Sequence, residues 1–212
     1  MDKIQKTSDL RILQGTEALE KIASDILNRS NPDEIKGLIS NLFVQNRGLQ
    51  KDSFTLLNWI SEREPKILIP FFEDFIKLLK SDYNRMRWGS MQIIRNLNPL
   101  VPHLTYSHLE ELEDAVRMGS IVEQDQWVDI LVDLSRNPSY YPHCFALLAY
   151  ILWKSGLNQF PTYIEELSEI VQVGDIETLV YCIGQRISEP MNEAKKRRLE
   201  KSWKILQARK KV

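Results

Sequence analysis

Apolar residues recur along this chain at helical spacing. In Phe71-Phe72-Glu73-Asp74-Phe75-Ile76-Lys77-Leu78-Leu79 they fall at 71, 72, 75, 78 and 79, the i, i+3, i+4 stripe of a helix with one buried face. The segment Ile121 to Leu134 repeats the stripe through Val128, Ile130, Leu131 and Leu134. No alternating strand of useful length interrupts the pattern, and no Asn-Gly or Asp-Gly dipeptide offers a hairpin turn. The spacing predicts helices over about 8–14, 16–29, 32–45, 51–63, 66–80, 84–97, 106–118, 121–136, 142–155, 161–172, 175–187 and 190–210.

Helix ends are marked by the residues that suit them. Asn31-Pro32-Asp33-Glu34 places a cap, a proline at the first helical position and two acids where four unpaired N–H groups and the dipole favour them. Thr16-Glu17 opens an earlier helix, and Gly156, Gly174 and several prolines separate later ones. Most links are short, which makes consecutive helices neighbours in antiparallel hairpins.

The hairpins repeat. Four helices end shortly before Pro65, Pro99, Pro138 and Pro190. Eleven positions before each proline stand Phe54, Trp88, Trp127 and Leu179; eight before stand Leu57, Met91, Ile130 and Cys182. All eight are apolar, and the i, i+3 spacing puts each pair on one helix face. The intervals between the prolines, 34, 39 and 52, lie near the period of helical solenoid repeats, with an extra helix expected in the last gap.

From Ile67 to Asn98 the chain resembles a HEAT repeat. Pro70 lies inside the first helix, Asp82 in the turn, Arg87 early in the second helix, and Gly89-Ser90 form the small pair where helices touch. Proline kinks a helix it interrupts, and glycine with serine lets two backbones approach. Ile121 to Arg136 keeps the second-helix apolar pattern without the Asp and Arg. The resemblance implies an all-α superhelix, an ARM/HEAT-like solenoid of antiparallel hairpins. The expected organisation is one all-α domain over 1–212, with capping helices in 1–31, repeats in 32–187 and a basic capping helix in 188–212. Such arrays expose an extended concave surface that holds a partner.

Composition narrows the chemistry. Leu and Ile, at 27 and 21, far outnumber the 10 Val, which disfavours a buried parallel sheet. The formal net charge of −1 excludes a polycation that coats nucleic acid. Two cysteines, Cys144 and Cys182, make no disulfide framework, and the longest apolar run, Cys144 to Trp153, is half a bilayer span. A soluble, cytoplasmic protein is expected. His103, His108 and His143 have no metal-site spacing, so no metal and no cofactor are expected. There is no GxSxG elbow, catalytic-cysteine signature or P-loop. Cys182 reads as a buried structural thiol. The acids of Glu110-Glu111, Glu113-Asp114, Glu165-Glu166 and Glu169 alternate with apolar residues and read as solvated faces.

Charge is concentrated at the end. Residues 191–212 hold nine basic and two acidic residues, a net +7 that leaves −8 for the rest of the chain. Leu199, Trp203 and Leu206 share a face on which this helix can dock, while its charges stay solvated or form a foot for an acidic partner, nucleic acid or an anionic surface. The expected function is a non-enzymatic scaffold that engages a macromolecular partner, most directly a protein or peptide, through its concave face. Expected contact residues are Arg85, Arg87 and Arg95, with Lys195, Lys196, Arg197, Arg198 and Lys201 as an auxiliary set. A second expectation comes from likeness to the alkylation-repair DNA glycosylases, helical-repeat proteins that hold a damaged nucleotide with tryptophans and an acid. Trp88 with Arg85, Arg87 and Arg95 is the set that would imitate such a site, although the repeated position of Trp88 reads as core.

Overall fold

A computed structural model describes residues 16–29, 31–117 and 119–210. The helix expected at 8–14 lies outside them. The described residues form helices and no strand: α1 (Thr16–Arg29), α2 (Pro32–Asn41), α3 (Arg47–Arg63), α4 (Phe72–Leu78), α5 (Asn84–Leu97), α6 (Pro102–Ser107), α7 (Leu109–Arg117), α8 (Ile121–Leu134), α9 (Tyr141–Lys154), α10 (Phe160–Ile170), α11 (Ile176–Arg186) and α12 (Glu193–Arg209). Short 3-10 turns, Pro65–Phe71 and Val173–Asp175, precede α4 and α11.

Local chemistry sets most boundaries. Asn31 caps α2 by accepting from the Asp33 N–H at 3.0 Å, with Pro32 in the first turn. The helix expected to start at 51 starts at 47, because Asn46 accepts from the Leu49 N–H at 3.1 Å. Asn192 does the same for α12 through Lys195 N–H, and the Ser120/Glu123 pair boxes the start of α8. Pro70 has the effect expected of it: the stretch before α4 is a 3-10 turn and regular helix resumes only at Phe72. The single helix expected at 106–118 is two, α6 and α7, broken at His108, whose ring sits between Glu73 (3.1 Å) and Glu111 (3.2 Å).

The chain divides into two compact units, 1–127 and 128–212, with the boundary inside α8. In the first unit α1 and α2 pack on α3, α3 on α5, and α4 on α5. The first helix of each pair thus lies against the second, and second helices stack on one another. Its core includes Phe54, Leu57, Phe72, Phe75, Met91 and Ile93. Gly89 is where α5 meets α3: a Cβ there would stand 2.2 Å from Phe54 Cε1. Alanine at position 89 raises helix propensity by about 1 kcal/mol but overpacks a buried ring at about 1–3 kcal/mol. Gly89→Ala is therefore expected to lower stability in urea unfolding by up to about 2 kcal/mol, and the loss should shrink when Phe54 is also changed to leucine.

In the second unit α10 packs on α12, α11 on α12 and α9, and α9 on α10. The pairs are α9/α10 and α11/α12, which corrects the repeat register. Seven of the eight repeated positions are buried, Trp88 being half-buried. Leu179 and Cys182 belong to α11, a first helix, whereas Phe54 and Trp88 belong to second helices. The long last interval contains a full pair plus the start of the next.

Tyr141 locks this unit. Its side chain is buried, and its hydroxyl donates to Asp175 Oδ2 at 2.9 Å and accepts from the Gln172 N–H at 3.0 Å. Burial, together with the neighbouring Asp175 carboxylate, pushes the phenol up to about 12 from 10.0. The neutral form is the one the fold favours, so this stabilisation is complete below pH 10 and fades as the pH climbs towards 12. Tyr141→Phe is expected to cost about 1–3 kcal/mol at neutral pH. The wild-type advantage over this variant, measured as a difference in Tm, should narrow across that alkaline window.

Candidate partner-binding surfaces

The expected contact residues do not form one site. Arg85, half-buried, places its guanidinium 5.9 Å from the centre of the Trp88 ring on the same face of α5. Arg95 is exposed and shares that face by spacing. Arg87 points elsewhere: it donates to the Ser81 carbonyl at 2.9 Å and to Asn84 Oδ1, tying the turn in which Asp82 lies. On α3, Arg63 lies 3.6 Å over the Trp59 ring. The second helices of the first unit thus display two arginine–tryptophan pairs. Trp127, by contrast, is 1% exposed, so no base or side chain of a partner can stack on it.

Helix α12 divides its charges between two tasks. Arg198 grips Glu165 through Nε (2.8 Å) and Nη2 (2.6 Å), with Thr162 at 3.0 Å, and these hydrogen bonds hold the Glu165 carboxyl below the usual carboxylate range. Arg209 donates to the carbonyls of Ser168 and Val171 at the end of α10, where unpaired carbonyls and the dipole favour a cation. Lys195 reaches Asn158, and Lys210 pairs with Glu177. Arg197, Lys201 and Lys204 are exposed, Lys196 is half-buried, and Lys211 lies outside the described residues. The docking face also differs from expectation. Leu199, Ser202 and Leu206 are buried, whereas Trp203 is 41% exposed, because the helix rolls to bring Arg198 and Arg209 onto α10.

A further surface escaped the sequence reading. Tyr150 and Trp153 on α9 and Tyr181 on α11 are 62%, 50% and 57% exposed. The Trp153 and Tyr181 rings are stacked, 6.2 Å between centroids and 8° from parallel, and the Lys154 ammonium lies 5.8 Å from the Tyr150 ring. Gly184, one turn beyond Tyr181, has open space where a Cβ would sit. A signal was available. Helix α9 reads Tyr-Pro-His-Cys-Phe-Ala-Leu-Leu-Ala-Tyr-Ile-Leu-Trp-Lys, apolar on every side, and a helix of that kind needs cover all round.

Catalytic chemistry finds little support in the thiols. Burial pushes Cys144 up to about 12 and Cys182 up as well, so neither is a thiolate near neutrality. Among the described residues no cluster of three or more His, Cys, Asp or Glu could hold a metal ion, and no helix is long and apolar enough to cross a membrane.

Stacked helix pairs of this kind define an ARM/HEAT-like helical-repeat fold, and comparison with solved structures agrees. A designed armadillo repeat protein superposes with a TM-score of 0.63 at 14% identity, covering 89% of this chain and 90% of its own. Two engineered proteins match with TM-scores of 0.59 and 0.60 at 13% identity, covering 99% and 98% of this chain and 98% and 100% of theirs. The likeness is one of fold. No protein-family model and no curated protein sequence matches the chain.

Proposed function

We propose that this chain is a non-enzymatic scaffold that engages a protein or peptide partner, with the stacked pair Trp153 and Tyr181 and the adjoining Tyr150 as its principal contact. The observation that carries the reading is the uncovered aromatic face of α9 and α11. Exposed aromatic clusters of this density mark interaction sites, and rigid tryptophan and tyrosine rings dominate interface energetics at low entropic cost. Stacking holds two of the three rings in place before a partner arrives, so less ordering is lost on binding.

The Arg85/Trp88 and Arg63/Trp59 pairs belong to the same reading as a second contact, on the second helices of the first unit. Arg197, Lys201 and Lys204 are its electrostatic auxiliaries. A cytoplasmic setting is part of the reading, consistent with two cysteines that remain free thiols. The likeness to DNA glycosylases has no comparable support: Arg87 is committed to a turn and Trp127 to the interior.

The test compares the full chain with a Trp153→Ser/Tyr181→Ser variant, each immobilised and exposed to cell extract. Specific proteins retained by the wild type and lost from the variant, at unchanged Tm, are expected. Identical retention by both would remove the aromatic face from the proposal.

A further inference from the structure

A groove on the first unit lies between α1, α2 and the 3-10 turn Pro65–Phe71, well away in sequence from the aromatic face of α9 and α11. It encloses about 400 Å³, within the range of ligand-binding clefts. Ile26, Leu27, Ile35, Ile67 and Phe71 make its walls apolar. Pro32 and Pro70 also line it, and neither has a backbone N–H to offer a polar ligand. The charged residues of the lining are Lys36 and Lys66, and both are cations.

These features select an occupant. Leu27, Ile67 and Phe71 are only half-buried, and Pro32, Lys36, Lys66 and Pro70 are exposed, so the groove opens along one side to water. A free acyl chain would remain wet along that side. A peptide would leave only polar atoms there while its apolar side chains reached the floor. Lys36 faces Asp33 at 3.7 Å, but both side chains are largely exposed, and such a pair yields readily to a new carboxylate.

We propose that this groove is the docking site of an acidic amphipathic peptide, whose apolar side chains insert between α2 and the 3-10 turn while its carboxylates meet Lys36 and Lys66. The mode is that of a helix or short segment laid in a groove, with charge selecting the partner and apolar anchors holding it. The site is independent of Trp153 and Tyr181, so its failure and the failure of the aromatic contact are read separately.

The experiment uses the full chain and a fluorescent synthetic peptide with leucine and phenylalanine along one helical face and glutamate elsewhere. Two control peptides carry lysine for glutamate or serine for the apolar residues. Anisotropy should show binding of the acidic peptide alone, and amide NMR shifts should centre on Leu27, Ile35 and Ile67. Lys36→Glu/Lys66→Glu should weaken binding by about tenfold or more. Ile67→Ser, which removes apolar floor at a half-exposed position, should weaken it with the charges intact. Trp153→Ser/Tyr181→Ser should leave it unchanged. Equal binding of the lysine or serine peptide would overturn the proposal, as would shifts confined to α12. So would displacement by oleate, which would make the occupant a lipid, or competition that tracks self-association, which would make it a second copy. Displacement by a peptide of residues 1–15, in which Lys3, Lys6 and Arg11 outnumber Asp2 and Asp9, would assign the groove to the chain itself and equally refute an acidic partner.

Discussion

Alanine in place of Trp127 is expected to remove about 3–5 kcal/mol of stability, while alanine in place of Trp153 leaves stability within about 1 kcal/mol of the wild type. Both residues are tryptophans on apolar helices, and the difference lies in what surrounds them. Trp127 is 1% exposed, so its truncation leaves a cavity and forfeits the transfer energy of the largest side chain. Trp153 is half-exposed and stacks on Tyr181, so its loss costs one ring contact at the surface. Urea unfolding of the two variants measures the contrast. The functional consequence runs the other way: Trp153→Ala should lose the partner and keep the fold. Comparable stability losses in the two variants would mean that the aromatic face is structural.

Arg186→Ala is expected to cost about 2–4 kcal/mol. This side chain is 12% exposed and serves four neighbours at once. Its Nη1 donates to the Ser155 carbonyl at 2.8 Å and reaches the Leu152 carbonyl at 3.4 Å, covering the end of α9. Its Nε meets Glu189 at 3.0 Å, and the guanidinium plane lies 4.3 Å from the Phe160 ring. Alanine would leave the Ser155 carbonyl short of a donor and Glu189 without its cation. Lysine keeps the charge but not the fork or the stacking surface, so Arg186→Lys should recover about half of the loss or less. Denaturation gives the magnitude. Hydrogen exchange gives the location, because fraying should concentrate in the last turn of α9.

The same device recurs at Arg209, which covers the end of α10 as Arg186 covers the end of α9. Sequence alone showed a run of cations in α12 and a plausible foot for an acidic partner. It could not separate Arg198 and Arg209, held on α10, from Arg197, Lys201 and Lys204, left to solvent, because the acceptors are 33 to 41 residues away. The groove has the same character: Lys36 and Lys66 become neighbours of one cavity only because α2 and the 3-10 turn both pack on α3.

Helical class, most caps and the close approach at Gly89 were legible because each depends on residues a turn or two apart, where spacing and backbone chemistry act directly. Boundaries missed at 47 and 108 were local too, and Asn46 was a readable cap that the hydrophobic pattern overshadowed. The layer to which α11 belongs was not legible. A stripe says that one face of a helix is buried, not which helix covers it, so Leu179 and Cys182 fit the repeated pattern while lying on the first helix of their pair. Sequence by itself therefore determined that this chain builds paired helices with single buried faces. Only the tertiary structure decided which cations became clasps, which tryptophan became core, and which aromatic face stayed uncovered, because those outcomes depend on contacts between residues far apart in the chain.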